Sequence, residues 1–185
     1  WERRGLPLLA VGGLLFLYLI APLCFAAEGT AISWALAGLA TLWVGLRLQS
    51  RTFLFSAFAV QLLGGLVFLT RLRGSELGHA GVLDSGWRGL LVCSLIGLAL
   101  VAGMLIAARD KLVSSDRGLL RGLSLVMLVG LVFINLAVLF VLPWHSASAV
   151  WAGTGLLIIW LSLRLQLRAS FFFGLLLQVV GGIAF

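Results

Sequence analysis

The chain has 185 residues, 62% hydrophobic and 10% charged, with a formal net charge of +7 and a mean hydropathy of +1.19. That balance leaves too little polar side chain to cover a soluble domain. The basic residues fall as pairs and small clusters between apolar runs rather than along one soluble face, which argues against nucleic acid as a partner and for membrane lipids.

Seven apolar runs follow in chain order, near 5–25, 30–46, 52–70, 89–108, 119–142, 148–163 and 169–185. Each has roughly the length, about 17 to 23 residues, that a hydrocarbon core about 30 Å thick demands of a helix. Helices are expected throughout, because lipid offers no partner to open backbone groups and the period-2 alternation of a barrel strand is missing. The first run imitates a secretory signal, with Glu2-Arg3-Arg4 before it and Phe25-Ala26-Ala27 after it. Arg4, Gly5, Leu6, Gly13 and Phe16 return far inside the chain as Arg121, Gly122, Leu123, Gly130 and Phe133, so a retained span is expected.

That recurrence is general. At an offset of 117, residues 1–68 show 23 identities with residues 118–185, where this composition gives roughly eight by chance. Trp34, Gly38, Trp43, Arg47, Gln49, Arg51, Gln61, Gly64 and Gly65 return as Trp151, Gly155, Trp160, Arg164, Gln166, Arg168, Gln178, Gly181 and Gly182. The expected fold is all-α: a polytopic transmembrane bundle of about seven spans, with a first repeat of four helices at 1–117 and a second, incomplete repeat of three at 118–185. An even number of helices per unit makes the repeat parallel, unlike the inverted repeats of many secondary transporters. The expected partners besides lipid are neighbouring helices or the rest of a longer chain.

Orientation follows from the cations, since Lys and Arg collect on the cytoplasmic side of short loops. With the N-terminus inside, ten lie inside, including Arg47, Arg51, Arg109, Lys111, Arg164 and Arg168, against Arg71, Arg73 and Arg88 outside.

The segments Trp34-Ala35-Leu36-Ala37-Gly38, Trp43-Val44-Gly45-Leu46-Arg47 and Phe58-Ala59-Val60-Gln61-Leu62-Leu63-Gly64-Gly65 resemble the large, many-helix bacterial membrane proteins catalogued as domain of unknown function 2339. The second copy is similar through Trp151-Ala152, Gly155, Trp160, Arg164, Arg168 and Gly174-Leu175-Leu176-Leu177-Gln178, and Val82-Leu83-Asp84-Ser85-Gly86 resembles a loop-to-helix element of that family. The family's intramembrane Glu is replaced by Ala37 and Thr154, neither of which ionises. The resemblance implies a multi-pass protein of the bacterial inner membrane and no assigned activity.

Candidate functional residues are few. Arg47 and Arg51 stand four residues apart at a helix exit, a spacing that places both on one face. With Trp43, and with Trp160, Arg164 and Arg168 in the second copy, they are expected as interfacial anchors, the alternative being contact with a specific anionic lipid or acidic partner. Gln61 and Gln178, each three residues before a Gly pair, and Asn135, which corresponds to Tyr18, are mid-run polar groups that either hydrogen-bond across helices or line a polar path. Ala99, Gly103 and Ala107 form a small-residue stripe that signals packing. The outer segment Arg71–Arg88 gathers Arg71, Arg73, Glu76, His79 and Asp84, with His145 and Glu28 on the same side. His79, Asp84 and His145 are weak candidates for proton transfer, against the plainer reading of a Gly-rich polar loop. Two His and two Cys scattered along the chain offer no metal-ligand spacing. Cys24 and Cys93 are expected as buried, unpaired thiols, the alternative being a disulfide formed in an oxidising periplasm, and no phosphate loop, nucleophile elbow or dinucleotide fingerprint is present.

No cofactor is implied. The expected function is a structural or assembly component of the cell envelope. The alternatives are a transporter or lipid-handling protein using the Gln-bearing helices, and a membrane-embedded transferase acting on an envelope lipid or glycan at the outer face.

Overall fold

The computed structural model describes residues 2–72, 81–165 and 168–184. The described residues form helices joined by short connections: α1 Glu2–Cys24, α2 Ala27–Arg47, α3 Arg51–Leu69, α4 Gly86–Ala108, the single turn α5 Lys111–Ser114, α6 Arg117–Ala137, α7 Trp144–Leu165 and α8 Arg168–Ala184. All seven expected runs are helical. The spans Ala27–Arg47, Arg51–Leu69, Gly86–Ala108 and Gly118–Phe140 are long and apolar enough to cross a membrane. Gly12–Cys24 and Phe171–Ile183 are shorter apolar helical stretches.

Local chemistry sets the boundaries. The α2–α3 reversal is a Schellman closure: Ser50 N–H donates to Gly45 O at 3.0 Å and Gln49 N–H to Leu46 O at 3.2 Å. Gln49 holds the left-handed position with φ 52°, where glycine would be at ease, and its side chain donates to Leu46 O at 2.9 Å and to Asp110 Oδ1 at 3.2 Å. Asp116 caps α6, its Oδ1 accepting from Gly118 N–H at 2.9 Å and Leu119 N–H at 3.3 Å, a device that stabilises a helix by about 1 kcal/mol. Near 138 the fifth run tightens into a 3₁₀ turn, Val138–Phe140. Pro143 then ends it, and α7 begins at Trp144, earlier than the expected 148.

Packing uses bare backbone. In α2 and α3, a Cβ on Gly38 would crowd Ala57 O, 3.0 Å away, and one on Gly64 would crowd Ala31 O at 3.2 Å. In α7 and α8, Gly155 faces Gly174 O at 3.0 Å and Gly181 faces Ser148 O at 3.1 Å. Between α4 and α6, a Cβ on Gly97 would lie 2.7 Å from Gly130 O, and one on Gly130 3.0 Å from Gly97 O. Such contacts let helices approach until dispersion and polar contacts hold them together where the surroundings are as apolar as the side chains. Around them lie three buried clusters, represented by Ile96, Leu100 and Phe133, by Leu42, Leu54 and Leu123, and by Trp151, Phe173 and Leu177.

The connections touch at each end. Beyond α3, Val82 N–H and Leu83 N–H both donate to Leu139 O, at 2.8 and 3.1 Å. At the opposite end Gln49 reaches Asp110, and Arg51 Nη1 lies 3.2 Å from Asp116 Oδ2.

Gly130→Val should cost about 1 to 3 kcal/mol by forcing α4 and α6 apart. Gly153→Val, where a Cβ meets nothing within 4 Å, should leave the unfolding midpoint in detergent nearly unchanged; equal losses in the two variants would contradict the close crossing.

Candidate functional site

The polar groups inside the bundle form two sets. In the first, Trp34 Nε1–H on α2 donates to Tyr18 O on α1 at 2.8 Å. The α-helical donor for that carbonyl would be the N–H of residue 22, but residue 22 is proline and has none. The indole therefore supplies the hydrogen bond the backbone cannot make. Thr41 Oγ1 donates to Ala37 O at 2.9 Å, which commits its proton, so the Tyr18 hydroxyl is the donor in the short Tyr18–Thr41 contact. On α3, Gln61 Nε2 donates to Ala35 O at 3.2 Å.

The second set repeats the backbone pins. Trp151 Nε1–H on α7 donates to Asn135 O on α6 at 2.9 Å, shortly before the 3₁₀ turn Val138–Phe140. Gln178 Nε2 on α8 donates to Ala152 O on α7. Asn135 Nδ2 donates to Leu131 O at 2.8 Å, and its Oδ1 accepts from Thr154 Oγ1 at 2.8 Å. Side chain sizes compensate here. Tyr18 reaches Thr41, whereas the shorter Asn135 reaches Thr154, which corresponds to Ala37, one helical turn nearer.

All three expected mid-run amides thus face helix contacts. Gln61 has no exposed surface and its Oε1 has no partner among the described residues. Gly103 leaves room for that oxygen, since a Cβ there would lie 3.6 Å away. Ala99 and Ala107 of the same stripe are buried. Asn135 is buried, and Gln178 is half-buried.

At the end of the bundle where α2 and α4 begin, Glu28, Arg71, Asp84 and Ser85 surround a cavity of about 50 Å³, and Asp84 Oδ1 accepts from Ser85 N–H at 2.8 Å. His145 is exposed on the first turn of α7 and does not line that cavity. His79, Arg73 and Glu76 lie outside the described residues. Among the described residues no group of His, Cys, Asp and Glu is arranged to hold a metal ion. Both cysteines are free thiols; Cys93 is buried as expected, its thiol toward Phe133 O at 3.1 Å, whereas Cys24, at the last residue of α1, is exposed rather than buried.

Comparison with protein-family models, curated proteins and solved structures finds no match.

The expected anchors need one correction. Arg47 and Arg51 do not share a helix face, because the chain reverses at Gln49 and they belong to α2 and α3. Arg47 lies over the exposed Trp43 ring, 5.3 Å from its centroid, a cation–π contact. Arg51 pairs with Asp116. Trp160 is exposed, while the side chains of Arg164 and Arg168 lie outside the described set. Sequence reading gave Trp34 and Trp151 no role. The signal that could have done so is the proline four residues after Tyr18.

Trp34→Phe should destabilise by about 1 to 3 kcal/mol, the cost of a buried carbonyl left without a donor. In a Pro22→Ala background residue 22 regains an N–H, and the same substitution should cost markedly less. A double-mutant cycle by thermal unfolding reads this coupling, and additivity would contradict it.

Proposed function

We propose that the chain is a bacterial inner-membrane protein that acts as a structural or assembly component of the cell envelope. In this reading it crosses the membrane seven times with its N-terminus in the cytoplasm and is a tandem parallel repeat, 1–117 and 118–185. The observation that carries the functional part is the sealing of Gln61: an amide with no exposed surface, bonded to a backbone carbonyl of the neighbouring helix. Gln61, Gln178 and Asn135 line none of the four cavities described around the bundle. They serve here to hold helices together.

Several observations support the wider reading. The Trp and Gln pins recur between residues 117 apart, as do the Gly64 and Gly181 contacts. Segments assigned to one side of the membrane touch each other: Gln49 with Asp110, and Arg51 with Asp116. The bacterial inner-membrane placement rests on the charge distribution and on the resemblance to the domain of unknown function 2339 proteins. A transferase at the outer face would draw on Glu28, Arg71 and Asp84, but a cavity of about 50 Å³ is well below the roughly 300 Å³ at which small-molecule sites begin.

Reconstituted vesicles test the scaffold against a polar path. Gln61→Leu and Gln178→Leu should each lower stability by about 0.6 kcal/mol, the average for such cross-helix bonds, and vesicles with the unaltered chain should show no solute or lipid flux above protein-free vesicles. A flux that the Gln variants abolish would overturn the scaffold reading.

A further inference from the structure

Between α3 and α6, at the end where their N-termini lie, runs a groove of about 530 Å³. Its walls are apolar, with Phe55 and Leu62 exposed at its rim. Its α6 wall includes a glycine strip: a Cβ on Gly122 would meet nothing within 4 Å, and one on Gly118 would meet only the Asp116 carboxylate. Among the described residues, the charged ones that line it are Arg51 and Asp116, side by side at 3.2 Å and both partly open to the surroundings.

This arrangement is amphiphilic in a specific sense. A long apolar trough leads to a cation and an anion in contact, which set a local dipole at its mouth. A guanidinium has more donors than one carboxylate oxygen can use. The Asp116 Oδ1 is committed to capping α6, which leaves Oδ2 as the atom with free acceptor capacity beside Arg51. The complementary head group carries a phosphate and, a short link away, an ammonium able to donate hydrogen bonds.

We propose that this groove binds a zwitterionic phospholipid of the ethanolamine class, with an acyl chain along the glycine strip, its phosphate on Arg51 and its ammonium on Asp116. The site rests on the membrane placement proposed above and goes beyond the scaffold role, since it gives the α3–α6 seam a lipid as an integral component. A choline head group cannot donate to Asp116. A glycerol head group offers the phosphate and hydroxyl donors but no cation to balance the carboxylate.

The test uses the full chain, purified in mild detergent, stripped of lipid and offered equal amounts of phosphatidylethanolamine, phosphatidylcholine and phosphatidylglycerol, with retained lipid read by native mass spectrometry. The unaltered chain should retain phosphatidylethanolamine in preference to the other two. Gly122→Leu fills the open trough and should abolish retention with an unchanged unfolding midpoint, while Gly153→Leu, on an open face elsewhere, should retain the lipid. Asp116→Asn keeps an oxygen to cap α6 and should reduce the preference for phosphatidylethanolamine over phosphatidylglycerol by about threefold to fivefold, the scale of a partly exposed charge contact. Equal retention in Gly122→Leu, or preferred retention of phosphatidylglycerol by the unaltered chain, overturns the site. Alkaline extraction of membranes separates the two levels. A chain that stays in the bilayer without this selectivity overturns the lipid site alone, and a chain that is released overturns the membrane placement as well.

Discussion

The arrangement depends on a constraint that apolar surroundings impose on the backbone: a carbonyl that loses its helical donor must find another. Proline at position 22 creates such a carbonyl at Tyr18, and the change to 3₁₀ geometry at Val138 falls just beyond the corresponding Asn135. At Tyr18 an indole from the next helix supplies the missing donor, and at Asn135 an indole from the next helix bonds the corresponding carbonyl. A defect in one helix thereby becomes the point at which a second helix is fixed. The glutamines add a second kind of pin, each bonding a mid-helix carbonyl on the helix before it.

Close backbone approach is the other half of the design. The hydrophobic effect gives little preference for one helix contact over another in lipid, so geometry must choose the partners. Gly97 and Gly130 face each other's carbonyls across α4 and α6, and Gly155 and Gly174 do the same across α7 and α8. Large residues then face outward, as Leu9, Phe16, Phe172 and Ile183 do. A path for polar solutes would need the amides to face a cavity instead of a neighbouring backbone.

Much of the fold was legible because the long apolar runs coincide with the helices, four of them long and apolar enough to cross a membrane. Element ends were less so. The polar His145 and Ser146 hid the start of α7, which Pro143 marks. The separation of Arg47 from Arg51 was invisible because the reversal puts glutamine, not glycine, in the left-handed position. For the candidate site, the sequence singled out Gln61, Gln178 and Asn135 without their partners. Backbone carbonyls carry no sequence signature, so Ala35 and Ala152 could not be anticipated as acceptors. The pairing of Arg51 with Asp116 depends on how α6 packs, a contact between residues far apart in the chain.

The central claim is that two segments of the chain fold into the same pinned hairpin. Disulfide formation in two double-cysteine variants free of native cysteines tests it directly: Ala31→Cys with Gly64→Cys, and Ser148→Cys with Gly181→Cys. A Cβ on Gly64 would lie 3.7 Å from the Ala31 Cα, close enough for a disulfide. The account predicts that mild oxidation closes both bonds in membranes, while pairs shifted by two residues on α3 or α8 stay open. Closure of one matched pair but not the other, or equal closure of the shifted pairs, would contradict the shared register on which the account rests.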